Sequence, residues 1–553
     1  MNWVPCDTPL ENHSKKSVIT YLARQVGIDP ILMHYLYING FTNLEKLSKF
    51  FFSSMKDFHD PFLMNDMKKA ISRIIKAIKH NETILIYGDY DVDGITSTAI
   101  MYKGLKYFNA SVHYRLPIRK EGYGLSPQAI KKIPENVSLI ITVDNGSSAY
   151  PAMEVAKKRG IDIIVTDHHE VLGSHPDCYA FINPKRHDNT YPFPYLSGAG
   201  VALKVVQSLF MISKLPWHKH LLDLIIYAAL GTIADLMPIE DENRAICKMG
   251  LHLMNSKYDP VLSKLFKFLN IKHVDSSTIG FKIAPIFNSC GRIGDPNKAV
   301  DILINPSPSI DDLYSLINLN LKRKQMTNDQ YKHIEKRIIQ NKLYKQKVIV
   351  VCDDFENGII GIIAAKIANR FKKPSIVISY TGTGSARSVN GTNFSIINVI
   401  KKCSHYLIKY GGHQAAAGFS INLDFNHINN FIKEIQIAAL EEPPLNPKLK
   451  YISNIPLNQF PMHLVDEIDS LEPFGVSFPK PIFYCSPMEI KIIQKFGNND
   501  EHLKLISNNK EAIAFFYGNL ENELNLTPLV EFLYSPNSLK KKDFIIQDIR
   551  FIV

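Results

Sequence analysis

The sequence predicts an α/β protein: a parallel sheet covered by helices, then a smaller α/β block, then a C-terminal β-barrel. Three observations predict it. Short apolar runs alternate with helical periodicity between about residues 83 and 165, the same alternation returns from about 347, and short strands with turn signals fill the chain beyond 450. At 553 residues the chain exceeds what one hydrophobic core serves, so several domains are expected. The pattern divides it into a helical segment over 1–75, a principal α/β block over 76–310, a connecting helix over 311–343, a second α/β block over 344–425 and a β-rich segment over 450–553.

In the principal block, Thr83–Tyr87 is an apolar run bounded by Gly88, as expected for a buried strand, and a helix is predicted over Ile95–Phe108. Strand Leu139–Val143, helix Ala149–Arg159 and strand Ile161–Val165 come next. Strand, helix, strand in this order implies right-handed crossovers and a parallel sheet. Residues from about Gly198 to Leu343 are predicted mostly helical, ending in a charged helix through Leu321–Arg337. The second block starts with strand Lys347–Cys352, continues through helix Ile359–Phe371 and strand Ser375–Ser379, and closes near Phe419. Pro443, Pro444 and Pro447 punctuate a linker, and His502–Ile506, Ala512–Tyr517 and Phe544–Ile549 are the strands that suggest a barrel.

A net charge of +11 favours polyanionic partners, although heavy use of Lys inflates it. Seven Cys without a C-x-x-C pair argue against both a disulfide framework and a thiolate zinc site, and a reducing cytoplasm fits best. Met1–Leu10 has no apolar core of a signal peptide, and no run of 18 apolar residues predicts a membrane span.

The informative feature is the set of residues just past each strand of the principal block. The first strand runs into Asp89-Tyr90-Asp91-Val92-Asp93-Gly94, the second into Asp144-Asn145-Gly146, the third into Asp167-His168-His169. In a parallel sheet the carboxyl ends of the strands line one crevice, so these groups converge there. Clustered carboxylates repel one another, and dications are the ordinary offset. Asp and His without Cys suit Mn²⁺ or Mg²⁺, with imidazole tilting the choice toward Mn²⁺. Two ions about 3.5–4 Å apart activate water and steady charge on a phosphoryl oxygen, which is phosphoester hydrolysis. An isolated Asp after a strand is ordinarily a helix cap, and a surface His pair ordinarily only polar; three such coincidences together carry the argument.

The segments D-Y-D-V-D-G-I-T-S-T, T-V-D-N-G and T-D-H-H resemble the DHH phosphoesterases. Further landmarks agree: Arg119 with Glu121–Leu125, Asn183–Lys185, Ser197–Val201 and Gly231–Asp235. From about residue 50 onward the whole chain is similar to the branch of that family made of single-strand-specific DNA exonucleases. The resemblance implies that 76–310 is a DHH catalytic domain in which Asp91, Asp93, Asp144, His168 and Asp235 hold two Mn²⁺ or Mg²⁺ ions, with Asp144 bridging. Asp89 would be an extra ligand or supporting acid, and His169 would face the scissile phosphate. By its own sequence context, at the end of the apolar helix Leu221–Leu230, Asp235 is only a helix-terminal acid; its role comes from the resemblance. Residues 344–425 would be the DHH-associated substrate-binding domain and 450–553 an OB-fold-like domain for single-stranded DNA. Nucleic-acid contacts are expected from Arg119, Tyr123, Arg292, Arg387, Gly411, Gly412 and His413. Lys540-Lys541-Lys542 are candidate phosphate contacts, and Phe474 is expected in core or linker packing.

Two departures bear on binding. Where that branch carries Trp-His before a Gly-Val-Val-Gly helix start, this chain has Phe355-Glu356-Asn357-Gly358, and Ile286 stands at a position usually held by Arg. The implied activity is 5′-to-3′ removal of 5′-mononucleotides in DNA repair and recombination, by a monomer, with a single-strand-binding protein and a helicase as partners. A DHH hydrolase of small substrates and a non-hydrolysing scaffold are the alternatives; the C-terminal hundred residues oppose the first, and the retained acids oppose the second.

Overall fold

A computed structural model describes residues 2–6, 13–171, 173–497, 500–507, 509–537 and 543–552. It separates into two compact units, one of Pro5–Leu316 with Tyr451–Val553, the other of Met1–Val4 with Ile317–Lys450.

The larger unit is built on a five-stranded sheet. Its strands are β1 (Thr83–Tyr87), β2 (Val112–Arg115), β3 (Val137–Val143), β4 (Asp162–Thr166) and β5 (Ala180–Ile182), all parallel, in the order β2-β1-β3-β4-β5. Successive side chains of a strand point to opposite faces. Leu85, Tyr87, Ile140, Ile163 and Val165 therefore form a core on one face with Ala152, Met153 and Ala156 of the helix α2 (Tyr150–Lys158). Helices α1 (Val92–Tyr107), α3 (Gly198–Ile212) and α4 (Leu222–Ala234) pack on one another, and α1 and α3 also pack on the strands. The strand order reverses between β1 and β3, and such a switch point opens a crevice beyond the carboxyl ends of the strands.

Several elements differ from the sequence expectation. Helix α1 starts at Val92 rather than Ile95, because the Asp91 carboxylate accepts from Gly94 N at 3.1 Å and caps the first turn. Strands β2 and β5, of four and three residues, carry too short a pattern to read. Helix α4 runs on to Ala234, and the charged helix, expected over 311–343, spans Ile310–Gln340. Near the amino end, Asn2–Pro5 is a strand rather than part of a helical segment.

The helices near the amino end do not stand alone. Leu22, Leu32, Leu36, Leu47 and Phe50 share one core with Leu464, Ile468, Phe483, Phe532 and Phe544. Arg244 crosses this region: its guanidinium lies over the Phe50 ring at 3.5 Å and donates to the carbonyls of Phe50, Leu471 and Pro473. Phe474 is buried there and stacks on Phe478 at 5.5 Å. The C-terminal strands Phe483–Glu489, Lys491–Phe496, His502–Ser507, Lys510–Ala514, Leu529–Asn537 and Asp543–Phe551 make a six-stranded sheet, where the sequence pattern showed only three strands. Lys540, Lys541 and Lys542 lie outside the described residues.

The second unit carries strands β6 (Ile349–Asp353), β7 (Ser375–Ser379), β8 (Thr383–Arg387), β9 (Leu407–Gly412) and β10 (Ala416–Ile421) in the order β9-β10-β8-β7-β6, parallel only between β6 and β7. Its core joins Val350, Ile376 and Ile378 to Phe419, Phe431 and Ile435.

Candidate metal centre

The carboxyl ends of β1, β3 and β4 meet as the strand order requires. Asp144 follows β3 with φ +62°, a left-handed turn that Asp tolerates, and its amide donates to Thr166 O at 3.0 Å. His168 Nε2 lies 3.0 Å from Asp144 Oδ1, 3.6 Å from Asp93 Oδ2 and 3.7 Å from Asp235 Oδ2. Donor atoms of Asp89, Asp91 and Asp144 lie within 4.8 Å of one another, and so do those of Asp93, His168 and Asp235 and those of Asp144, His168 and His169. All seven acids and histidines singled out from the sequence thus fall in one cup.

The chain holds these groups with backbone donors. Asp93 accepts from the amides of Gly198 at 2.6 Å and Ala199 at 2.9 Å, the first turn of α3, where unpaired N–H groups and the helix dipole favour an anion. Close approach explains two glycines: a Cβ on Gly198 would stand 2.6 Å from Asp144 Cβ, and one on Gly231 2.5 Å from Asp93 Oδ1. Asp167 accepts from the amides of Ser147 and His168 and from His169 Nδ1 at 2.8 Å. Neither the α3 amides nor Asp167 was singled out from sequence, although Ser197-Gly198-Ala199-Gly200 is a legible helix start.

Asp235 is the C-cap of α4, beyond which the chain turns back: Leu236 N donates to Ile233 O at 3.2 Å and Met237 N to Thr232 O at 3.1 Å. This is a Schellman end, whose left-handed position is usually glycine. Here it is Leu236 at φ +57°, a strain of about 1–2 kcal/mol for an L-residue.

The electrostatics are those of crowded anions. Burial, and next the charge of Asp91, pushes Asp93 up to about 7 and Asp89 well above the ordinary carboxyl range. Burial followed by Asp93 does the same for Asp144 and Asp235. Burial, reinforced by the charge of His169, holds His168 down to about 3, so it is a neutral imidazole able to ligate. Burial would lower His169 as well, but the charge and hydrogen bond of Asp167 outweigh it and lift His169 to about 9. One cation therefore stands at the edge of the cup.

Does this donor set fit metal ions? Oδ1 of Asp89 and Oδ1 of Asp144 are buried and accept no hydrogen bond, an expensive state for a carboxylate that a dication relieves. All-oxygen donors with one neutral imidazole match Mn²⁺ or Mg²⁺ chemistry. The residues present fit.

Around the cup, Tyr123 OH reaches Asp144 O and His169 Nδ1, each at 3.3 Å. Arg119 lies over the Tyr90 ring at 4.8 Å. Arg292 sits in the helix α5 (Ala284–Ile293), whose Gly291 abuts the Tyr90 carbonyl. Ile286 is buried in α5, and Glu356 is exposed in the other unit. In that unit Arg387 ends β8 opposite Ala416, and Gly412 pairs with Ala417, so Arg387, Gly411, Gly412 and His413 gather at one end of the sheet. Arg387 Nε is buried without a hydrogen-bond partner.

Comparison with known proteins matches three family models in order: the DHH family, N-terminal domain, over residues 83–229, the DHHA1 domain over 345–439 and the RecJ OB domain over 453–541. The single-stranded-DNA-specific exonuclease RecJ of Bacillus subtilis is 35% identical over 516 residues, covering 90% of this chain; the chain spans 64% of the length of that protein. The same-named protein of Haemophilus influenzae is 29% identical over 537 residues, covering 89% of this chain and 90% of that one. Among solved structures, RecJ in complex with Mn²⁺ from Thermus thermophilus superposes with a TM-score of 0.81 at 22% identity, covering all of this chain and 79% of that one. Exonuclease RecJ bound to manganese gives 0.59 at 27% identity, covering 69% and 96%. With a DHH domain, a DHHA1 domain and a RecJ OB domain in that order, the chain belongs to the RecJ family of DHH proteins.

Proposed function

We propose that this chain is a metal-dependent exonuclease that hydrolyses phosphodiester bonds of single-stranded DNA from the 5′ end and releases 5′-mononucleotides. One observation carries the reading: Asp91, Asp93, Asp144, His168 and Asp235, far apart in sequence, converge in one buried anionic cup. The names of the related exonucleases support the substrate class.

Asp89, Asp91, Asp93, Asp144, His168 and Asp235 would hold two Mn²⁺ or Mg²⁺ ions, and Asp144 belongs to two of the donor groups. When bound, such ions lower the pKa of water and offset charge on the phosphoryl oxygens. The chain supplies the rest. The α3 amides fix Asp93, and Asp167 orients His169 and favours its protonated form, so that Nε2, which lies 3.3 Å from Tyr123 OH, can donate to a phosphate oxygen. Arg119, Tyr123 and Arg292 line the approach to the cup as candidate strand contacts. Within the DHHA1 unit, Arg387, Gly411, Gly412 and His413 are a second set of candidates.

Single-stranded DNA is the partner favoured by the RecJ OB domain. Action as a monomer, supply of unwound strand by a helicase with a single-strand-binding protein, and a role in repair and recombination complete the reading. All seven cysteines are free thiols, in keeping with a reducing cytoplasm, and no helix among the described residues is long and apolar enough to cross a membrane. The test is incubation of purified protein and Mn²⁺ with strands labelled at either end. Mononucleotides should come first from the 5′-labelled end, and Asp144→Ala should abolish turnover. No turnover by the wild type, or equal turnover by the variant, would overturn the reading.

A further inference from the structure

Among the described residues other than glycine with positive φ, only Leu236 and Phe516 carry large apolar side chains. Leu236 follows Asp235 directly, so its Cα is about 3.8 Å from that of a residue whose carboxylate enters the cup. The turn at the end of α4 demands a left-handed backbone but makes no use of a side chain. Glycine would satisfy the same two hydrogen bonds without crowding Cβ against the carbonyl. Nor does packing within the protein offset the strain, since Leu236 is 68% exposed. A strained backbone and an exposed apolar side chain beside a reactive cluster imply something outside the fold for that side chain to meet.

A phosphodiester brought to Asp93, Asp235 and His168 carries its nucleotide past this position. Phosphate is recognised by charge and hydrogen bonds, whereas deoxyribose carbons and the faces of the base present apolar surface. The charged groups around Asp235, among them His169 and Lys185, can answer the phosphate but not the apolar faces of sugar and base, for which an uncharged wall is the complement.

We propose that Leu236 is a positioning residue for substrate: its side chain forms the apolar wall against which the deoxyribose or base of the nucleotide at the scissile phosphate packs. The assignment rests on the single-strand nuclease reading above. It gives Leu236 a role that α4 alone does not, and it separates the residue from the neighbouring acid, which acts on charge.

The experiment compares Leu236→Gly and Leu236→Asn, both tolerant of left-handed backbone, with Leu236→Met, which keeps apolar volume. Thermal midpoint, Mn²⁺ affinity by calorimetry, and KM and kcat on a labelled single strand are measured for each. The Gly and Asn variants should melt at or above the wild-type temperature and bind Mn²⁺ unchanged. Their KM should rise about tenfold, equivalent to about 1.4 kcal/mol, with kcat altered less than about threefold and with Met close to wild type. On a strand whose terminal nucleotide is abasic, the penalty vanishes if the base is the contact and persists if the sugar is. Unchanged KM in the Gly and Asn variants overturns the assignment, as does a KM rise matched by lost Mn²⁺ affinity, which would give the effect to Asp235. A wild type that leaves the strand intact sinks the nuclease reading and this assignment together; an active wild type with indifferent variants sinks this assignment alone.

Discussion

Gly231 in α4 touches Asp93 in α1 so closely that its missing side chain is part of the carboxylate's position. A Cβ there would lie 2.5 Å from both Asp93 Oδ1 and Thr96 Oγ1, and 2.7 Å from Ala199 Cβ. All three neighbours are buried in helices and cannot retreat cheaply. Gly231→Ala should therefore keep its helix content by circular dichroism, lose at least about tenfold in Mn²⁺ affinity, and lose about a hundredfold in kcat on single-stranded DNA.

Metal should stabilise the fold, because it binds the assembled cup and relieves there a repulsion among Asp89, Asp93, Asp144 and Asp235 that the unfolded chain does not have. At a free concentration about a hundredfold above Kd, Mn²⁺ should raise the unfolding free energy by about 2.7 kcal/mol. Chelation should reverse the gain. The measurement is denaturant unfolding with and without Mn²⁺, and Asp144→Ala should show no metal-dependent shift.

Glu472 supplies a pH signature away from the cup. Burial, then the charge of nearby Asp275, raises it to about 7, against hydrogen bonds from Phe474 N and Ser276 Oγ that favour the carboxylate. A carboxyl with a raised folded pKa binds its proton more tightly when folded. Its contribution is then full below the unfolded value of about 4.3 and is lost as pH rises through about 7. Wild-type stability should fall by up to a few kcal/mol between pH 5 and 8 on this account, at about 1.4 kcal/mol for each tenfold gain in proton affinity on folding. Glu472→Gln should remove that part of the slope in parallel unfolding titrations.

Arg244 ties three stretches of chain by donating to Phe50 O, Leu471 O and Pro473 O. Replacing it leaves buried carbonyls without donors and removes the cation from over the Phe50 ring. Arg244→Met should cost roughly 3 kcal/mol in urea unfolding, and Arg244→Lys nearly as much, because one ammonium cannot serve three separated carbonyls.

How far the sequence spoke depended on the range of the interaction. Strands Thr83–Tyr87 and Ser375–Ser379 were legible to the residue, since apolar runs between breakers are local patterns. The acids at the strand ends were legible because chain order alone sends them to one edge of a parallel sheet. The Gly198 amide that anchors Asp93 lies 105 positions away in the chain, and nothing in either segment announces the pairing. Asp235 reads in isolation as an ordinary helix-terminal acid, and only the fold shows its carboxylate 3.7 Å from His168. Asp167 stood beside the histidines in the motif without a part to play, because its work is to bind His169 and two amides rather than to meet a ligand.

The core that joins Leu32, Leu36 and Phe50 to Phe483, Phe532 and Phe544 sets a timetable for the nascent chain. On a ribosome adding roughly 5–20 residues per second, the first helices emerge tens of seconds before their packing partners exist. Over that interval their oily sides must be shielded by chaperones or by temporary self-association. A message broken before the codon for Ile452 would release a product with that surface permanently wet, a ready substrate for proteolysis whatever the state of its carboxylate cup.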